Sequence, residues 1–191
     1  MADKDGALKV LRQTFLERVN FKFDGGAGEV EITGKSFKTI VGLIEKDDME
    51  VKVHPDLDGE GVWRHEERTL YIPRITGRIQ EATVVHESLH GFFYFENIPM
   101  LSIQEEAACF LVEVMYFRMT GLSPARYDHP VFKAARPMAD AILRANAYAK
   151  RSKDAVDTTQ WANLLAKVRA DPNYAKVAAE AGSKYARRAD E

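Results

Sequence analysis

The sequence predicts a mixed α+β fold, with a small sheet in the N-terminal half and helices through the remainder. Three observations predict it. Short runs of alternating hydrophobicity, bounded by glycine and other turn residues, recur between residues 24 and 72. Apolar residues at helical spacing dominate from about residue 76 onward. A chain of 191 residues, 46% of them hydrophobic, can bury one sizeable core.

In order, Leu8, Leu11, Phe15 and Val19 fall at helical spacing and predict a first amphipathic helix ending near Asn20. Asp24-Gly25-Gly26-Ala27-Gly28 is a turn, and Val30 and Ile32 alternate with Glu29, Glu31 and Thr33 as a half-buried strand does. Phe37, Ile40, Val41 and Ile44 mark a second helix begun by Ser36. Gly34-Lys35-Ser36 matches the end of a phosphate loop, but that motif needs a glycine where Glu29 stands, so no nucleotide site is read there. Met49, Val51 and Val53 predict a short strand, followed by a solvated loop over residues 54–61. Val62–His65 and Thr69–Ile72 read as a hairpin turning at Glu66-Glu67.

No proline interrupts the chain between Thr76 and Glu96, where a long helix is expected to be apolar nearly all round and therefore buried. After Asn97–Met100 a second apolar helix opens at Ser102, with Glu105 completing a capping box, and ends near Thr120-Gly121. Three helices follow: Val131 to about Lys150, bent or restarted at Pro137; Thr158 to Ala170; and Pro172 to Arg187. Residues 1–125 are read as the core unit and 126–191 as a helical extension packed on it.

Net charge is −2, split into 15 basic and 22 acidic side chains over residues 1–132 and 12 basic and 7 acidic over residues 133–191 (27 and 29 in all). The C-terminal cations are spaced through amphipathic helices, so they read as solvated faces and no nucleic-acid module is expected. The single cysteine, Cys109, excludes a disulfide framework. The charged start Met1–Asp5 shows no export signal, and no run reaches the roughly 18 apolar residues of a membrane span, so a cytoplasmic protein is expected.

The chemistry sits at Val85-His86-Glu87-Ser88-Leu89-His90. Histidines four residues apart share one helix face and can hold one metal ion, with Glu87 between them facing the water such an ion carries. Buried polar groups without partners cost several kcal/mol, and a bound Zn2+ accounts for two histidines and a glutamate on a buried helix. Zinc of this kind takes a third protein ligand and leaves a position for water. A third histidine in the long form of the motif would need Gly at 93 and His at 96, where the chain has Phe93 and Glu96.

With that form excluded, the chain resembles the gluzincin metallopeptidases, and most closely the small ImmA/IrrE-like branch, over about residues 61 to 120. The resemblance implies a zincin-like fold, a strand hairpin leading into the metal helix, and a third zinc ligand from a Glu-x-x-Ala segment in the next helix. Small residues one turn beyond the ligand let two helices approach. Ala108 and Cys109 follow Glu105 at that distance, whereas Cys109 and Phe110 follow Glu106, which favours Glu105, with Glu106 and then Glu113 behind it. Related enzymes use a downstream side chain to steady the oxyanion, which makes Tyr127 and His129 candidates. The implied activity is hydrolysis of peptide bonds in a peptide or protein substrate, Glu87 being the general base. A protease confined to one partner protein and a non-enzymatic zinc protein are the alternatives.

Overall fold

The computed structural model describes residues 2–54, 56–57, 60–122, 128–148 and 156–174. It is mixed α+β as expected, with helices α1 (Ala2–Leu11), α2 (Gly34–Glu45), α3 (Arg78–Phe95), α4 (Ser102–Thr120), α5 (Pro130–Tyr148) and α6 (Thr158–Ala170). The strands are β1 (Asn20–Asp24), β2 (Glu29–Thr33), β3 (Glu50–Val53), β4 (Val62–Arg64) and β5 (Thr69–Ile72). Among the described residues no helix is long and apolar enough to cross a membrane.

The first helix is shorter than expected. It stops at Leu11, a 3-10 turn covers Thr14–Arg18, and β1 begins where the helix was expected to end. Phe21 and Phe23 are buried on one face while Asp24 is exposed, which is the alternation of a strand. β1 pairs antiparallel with β2 from Asn20↔Thr33 to Asp24↔Glu29. α2 starts two residues before Ser36, because Thr33 caps it: Lys35 N donates to Thr33 Oγ1 and Thr33 N to Ser36 Oγ.

The second sheet has the order β3-β5-β4. β5 runs parallel to β3 and antiparallel to β4, so the predicted hairpin is present and β4 is left at the sheet edge. α3 packs on this sheet, on α1 and α2, and most extensively on α4. Nearly every residue from Ala82 to Tyr94 is buried, as are nearly all of Ser102 to Phe117 on α4, so these two helices are the middle of the molecule. Gly121 closes α4 in the left-handed conformation at φ 70°, where a side chain would be strained.

α5 passes over α4 as one helix that continues through Pro137, and α6 packs on both. Asn146 on α5 donates to the carbonyls of Arg18 and Asn20, and Trp161 on α6 lies 5.0 Å from Phe23, ring centre to ring centre. The C-terminal helices thereby hold both the first hairpin and α4. The helix expected from Pro172 falls largely outside the described residues; Pro172 to Tyr174 form a turn.

Two glycines of α2 give a test with opposite signs. A Cβ on Gly34 would stand 2.7 Å from the backbone Cα of Glu17, whereas one on Gly42 would meet nothing within 4 Å. Gly42→Ala is expected to stabilise the fold by about 0.5–1 kcal/mol through helix propensity. Gly34→Ala is expected to destabilise it by about 1–3 kcal/mol, because the 3-10 turn must move. Urea denaturation of both variants checks the pair; equal shifts would contradict the close approach of α2 to Glu17.

Candidate metal centre

One turn of α3 separates His86 from His90, and both rings face α4 with their centres 5.3 Å apart. α4 presents Glu105, Glu106, Cys109 and Glu113 to them. His90 Nδ1 lies 2.6 Å from Glu105 Oε1, and His86 Nδ1 lies 3.1 Å from Glu113 Oε2. A carboxylate can only accept, so each Nδ1 carries the proton, and each neutral ring turns the lone pair of Nε2 the other way. Both Nε2 atoms converge on a single oxygen: Glu106 Oε2 is 3.7 Å from His86 Nε2 and 3.7 Å from His90 Nε2.

Two lone pairs and a carboxylate oxygen at that separation repel one another unless positive charge stands between them. The titration tendencies report the same thing. Burial works against charge on the His86 ring, yet Glu106 and Glu113 outweigh it and hold the imidazole well above its ordinary value. Burial opposes charge on His90 too, and Glu106 and Glu105 overcome it. Both rings thus favour positive charge at this place in the metal-free chain, as a bound cation would supply it.

The donor spacing fits a metal. Ligands at about 2.0–2.2 Å from a tetrahedral zinc stand roughly 3.3–3.6 Å from one another, close to the spacing found between Glu106 and each ring. A second third donor is also at hand: potential ligand atoms of His86, His90 and Cys109 lie within 4.8 Å of one another, and all three residues are buried. That cluster could hold a metal ion. Glu106 and Cys109 are thus alternative third donors; in the metal-free chain, burial and then the surrounding carboxylates push the Cys109 thiol well above its ordinary value.

Glu105, expected from the sequence as the third ligand, stands instead on the far nitrogen of His90. Residue size does not by itself separate neighbours that point about 100° apart around a helix. What decides is helix phase: Glu106 and Glu113, seven residues apart, fall on nearly the same side of α4. Glu105 and Glu113 each hold one ring in orientation through its Nδ1.

Glu87 points into the same cleft and is held there by one backbone group: its Oε2 accepts from the Trp63 N–H of edge strand β4 at 3.0 Å. Burial pushes its carboxyl up, against the lowering influence of His86 and His90. Gly61 permits the close approach, since a Cβ there would sit 2.5 Å from Glu87 Cγ and 3.2 Å from the Tyr71 carbonyl oxygen. The cleft, about 210 Å³, is lined by Gly61–Trp63 and His65 on the strand side, by the α3 and α4 groups, and by Tyr174.

Tyr174 was not legible in the sequence. It follows α6, its ring packs edge-on against Phe110 with centres 5.3 Å apart, and its phenol is pushed far up by burial and then by Glu106 and Glu87. Of the two downstream residues expected to serve the oxyanion, Tyr127 lies outside the described residues. His129 does not line the cleft; its half-exposed ring is paired through Nε2 to Asp171 Oδ2 at 3.1 Å.

A histidine raised in the folded state adds stability that is complete below its unfolded value, about 6.5, and is lost as pH climbs through the raised value. A buried carboxyl raised in the folded state acts in the same direction. The metal-free protein is therefore expected to lose thermal stability from about pH 6.5 upward, and saturating zinc, which needs deprotonated rings, to reverse the trend. Melting curves in chelator and in zinc across this range check it; identical pH profiles would contradict the pairing of the rings with Glu105, Glu106 and Glu113. No protein-family model, curated protein or solved structure matches this chain, so the site is read from its own geometry.

Proposed function

We propose that this chain is a zinc-dependent metallopeptidase of the gluzincin type, with a zincin-like fold close to the small ImmA/IrrE-like branch. The observation that carries the reading is the single Glu106 oxygen equidistant from both Nε2 atoms, with Glu87 in the same cleft. His86, His90 and Glu106 would hold the ion, oriented by Glu113 and Glu105. When bound, zinc supplies Lewis acidity, which polarises a carbonyl and lowers the pKa of water.

The remaining work falls to side chains of this protein. Glu87 Oε1, which accepts no other bond among the described residues, takes a proton from the attacking water and returns it to the departing amine nitrogen. Its pKa, raised by burial, makes it the stronger base at neutral pH. Tyr174 supplies an O–H donor to the oxygen on which charge develops.

A second reading rests on Cys109. If its thiol and Glu106 both bound the ion, four protein donors would close it and the site would be structural. The two readings separate on Cys109→Ser. Under the first, the variant keeps its metal and its activity.

Metal content per chain, measured by mass spectrometry, tests the ligand set. Wild type is expected to hold about one zinc, Glu106→Ala to lose it, and Glu105→Ala to bind about 10–100-fold more weakly because only ring orientation suffers. Retention by Glu106→Ala with loss in Glu105→Ala would reverse the assignment.

Against a peptide library, zinc-loaded Glu87→Gln is expected to cleave about 10²–10⁴-fold more slowly than wild type at unchanged metal content. Gly61→Ala, which displaces Glu87 by steric contact, should lose about 10²-fold while also keeping its metal. Wild-type rates in loaded Glu87→Gln would end the peptidase reading.

A further inference from the structure

Tyr174 is carried on a turn, and the structure shows what fixes that turn. The Asp171 carboxylate is buried, and its two oxygens are divided: Oδ1 accepts the Asn173 backbone N–H at 2.9 Å, and Oδ2 faces His129 Nε2 at 3.1 Å. The Asp171 carbonyl oxygen accepts the Tyr174 N–H at 3.0 Å. One aspartate thus caps the end of α6, closes the turn, and ties it to the start of α5. Aromatic contacts complete the mount, for Phe132 lies 6.0 Å from the His129 ring and 5.6 Å from Phe110, which in turn packs against both Tyr174 and His86.

We propose that His129 and Asp171 form a clamp that positions the Tyr174 phenol in the metal cleft, His129 acting through Asp171 and never on substrate. The proposal rests on the metallopeptidase reading for the purpose of the phenol but not for its placement. A phenol on a surface turn samples several rotamers, and an oxyanion donor must stand within about 0.5 Å of its working position to be useful. A buried carboxylate with both oxygens engaged supplies that rigidity, whereas a lone cap on an exposed turn does not. The half-exposed His129 is also a place where substitution leaves the core untouched, since its ring makes one edge contact and one polar contact.

The test reads Tyr174 directly. Wild type, His129→Ala and His129→Gln are labelled with 3-fluorotyrosine, and the Tyr174 fluorine signal is assigned by its absence in Tyr174→Phe. In metal-free wild type the signal is expected to be sharp and displaced by the Phe110 ring. His129→Ala should move it toward the exposed-tyrosine position, and His129→Gln, whose amide can donate to Asp171 Oδ2, should restore it. Added zinc should shift the signal in wild type and His129→Gln and far less in His129→Ala. An unmoved signal in His129→Ala overturns the clamp, as does a wild-type signal blind to zinc that mass spectrometry finds bound. Absence of bound zinc would instead count against the metal reading, while the metal-free spectra still decide the clamp.

Where a peptide is cleaved, His129→Ala should lower kcat about 10-fold with little change in KM, and cost nothing further once Tyr174 is Phe. An equal loss in the Tyr174→Phe background would make His129 a general structural residue and overturn the proposal.

Discussion

Two imidazole lone pairs aimed at one carboxylate oxygen of Glu106 set the condition that the middle of this molecule must meet. α3 and α4 are apolar nearly all round, and they meet across a layer holding His86, His90, Glu87, Glu105, Glu106 and Glu113. That layer gathers four carboxyl groups in surroundings where an uncompensated charge costs several kcal/mol or more. A divalent cation would relieve this, because one ion could engage both rings together with a donor from α4. The packing of the two helices and the affinity of the site are therefore one problem. Ring orientation by Glu105 and Glu113 leaves no other partner on α4 for the Nε2 atoms than Glu106 and Cys109.

Much of the site was legible, for a physical reason. His86, Glu87 and His90 are neighbours on one helix, and periodicity alone decides that they share a face. The burial of α3 and α4 was legible as well, since neither has a polar face. Which glutamate of α4 meets the rings depends on how α4 is rotated about its axis relative to α3, and rotation is set by every side chain at the interface. Size at the next turn is one small part of that. Glu113, alone in a run of apolar residues two turns after Glu106, was the available sign that a carboxylate of α4 faces inward. Tyr174 left no sign at all, because its place depends on how α6 docks, a tertiary fact with no local pattern.

The capping box expected at Ser102 and Glu105 does not form, for Leu101 is the N-cap and no side chain caps α4. The first helix, misread in its length, shows the same division. Phe15 and Val19 at a spacing of four extended the first helix on paper to Asn20, while Phe21-Lys22-Phe23-Asp24 already alternated as a strand. Both patterns are weak over four residues, and β1 prevails because β2 is there to pair with it and Trp161 to cover Phe23. Pairing with a neighbour outweighs local propensity in so short a segment. The cost falls on the connection, which tightens into the 3-10 turn whose Glu17 backbone then crowds Gly34.

The mounting of Glu87 links the sheet to the chemistry proposed for the site. Trp63 lies on the edge strand, and its N–H is turned outward to Glu87 and away from β5. An edge strand normally leaves such groups open to pairing with another chain. Here the outward N–H at the cleft is already taken by Glu87, so Trp63 does not offer it to another chain. A single neutral N–H also stabilises a carboxylate less than a cation would, which leaves burial dominant and the carboxyl raised. Replacing that N–H with a charged partner would hold Glu87 more firmly and make it a poorer base. The strand fixes the position of the carboxylate while leaving its basicity to the buried environment.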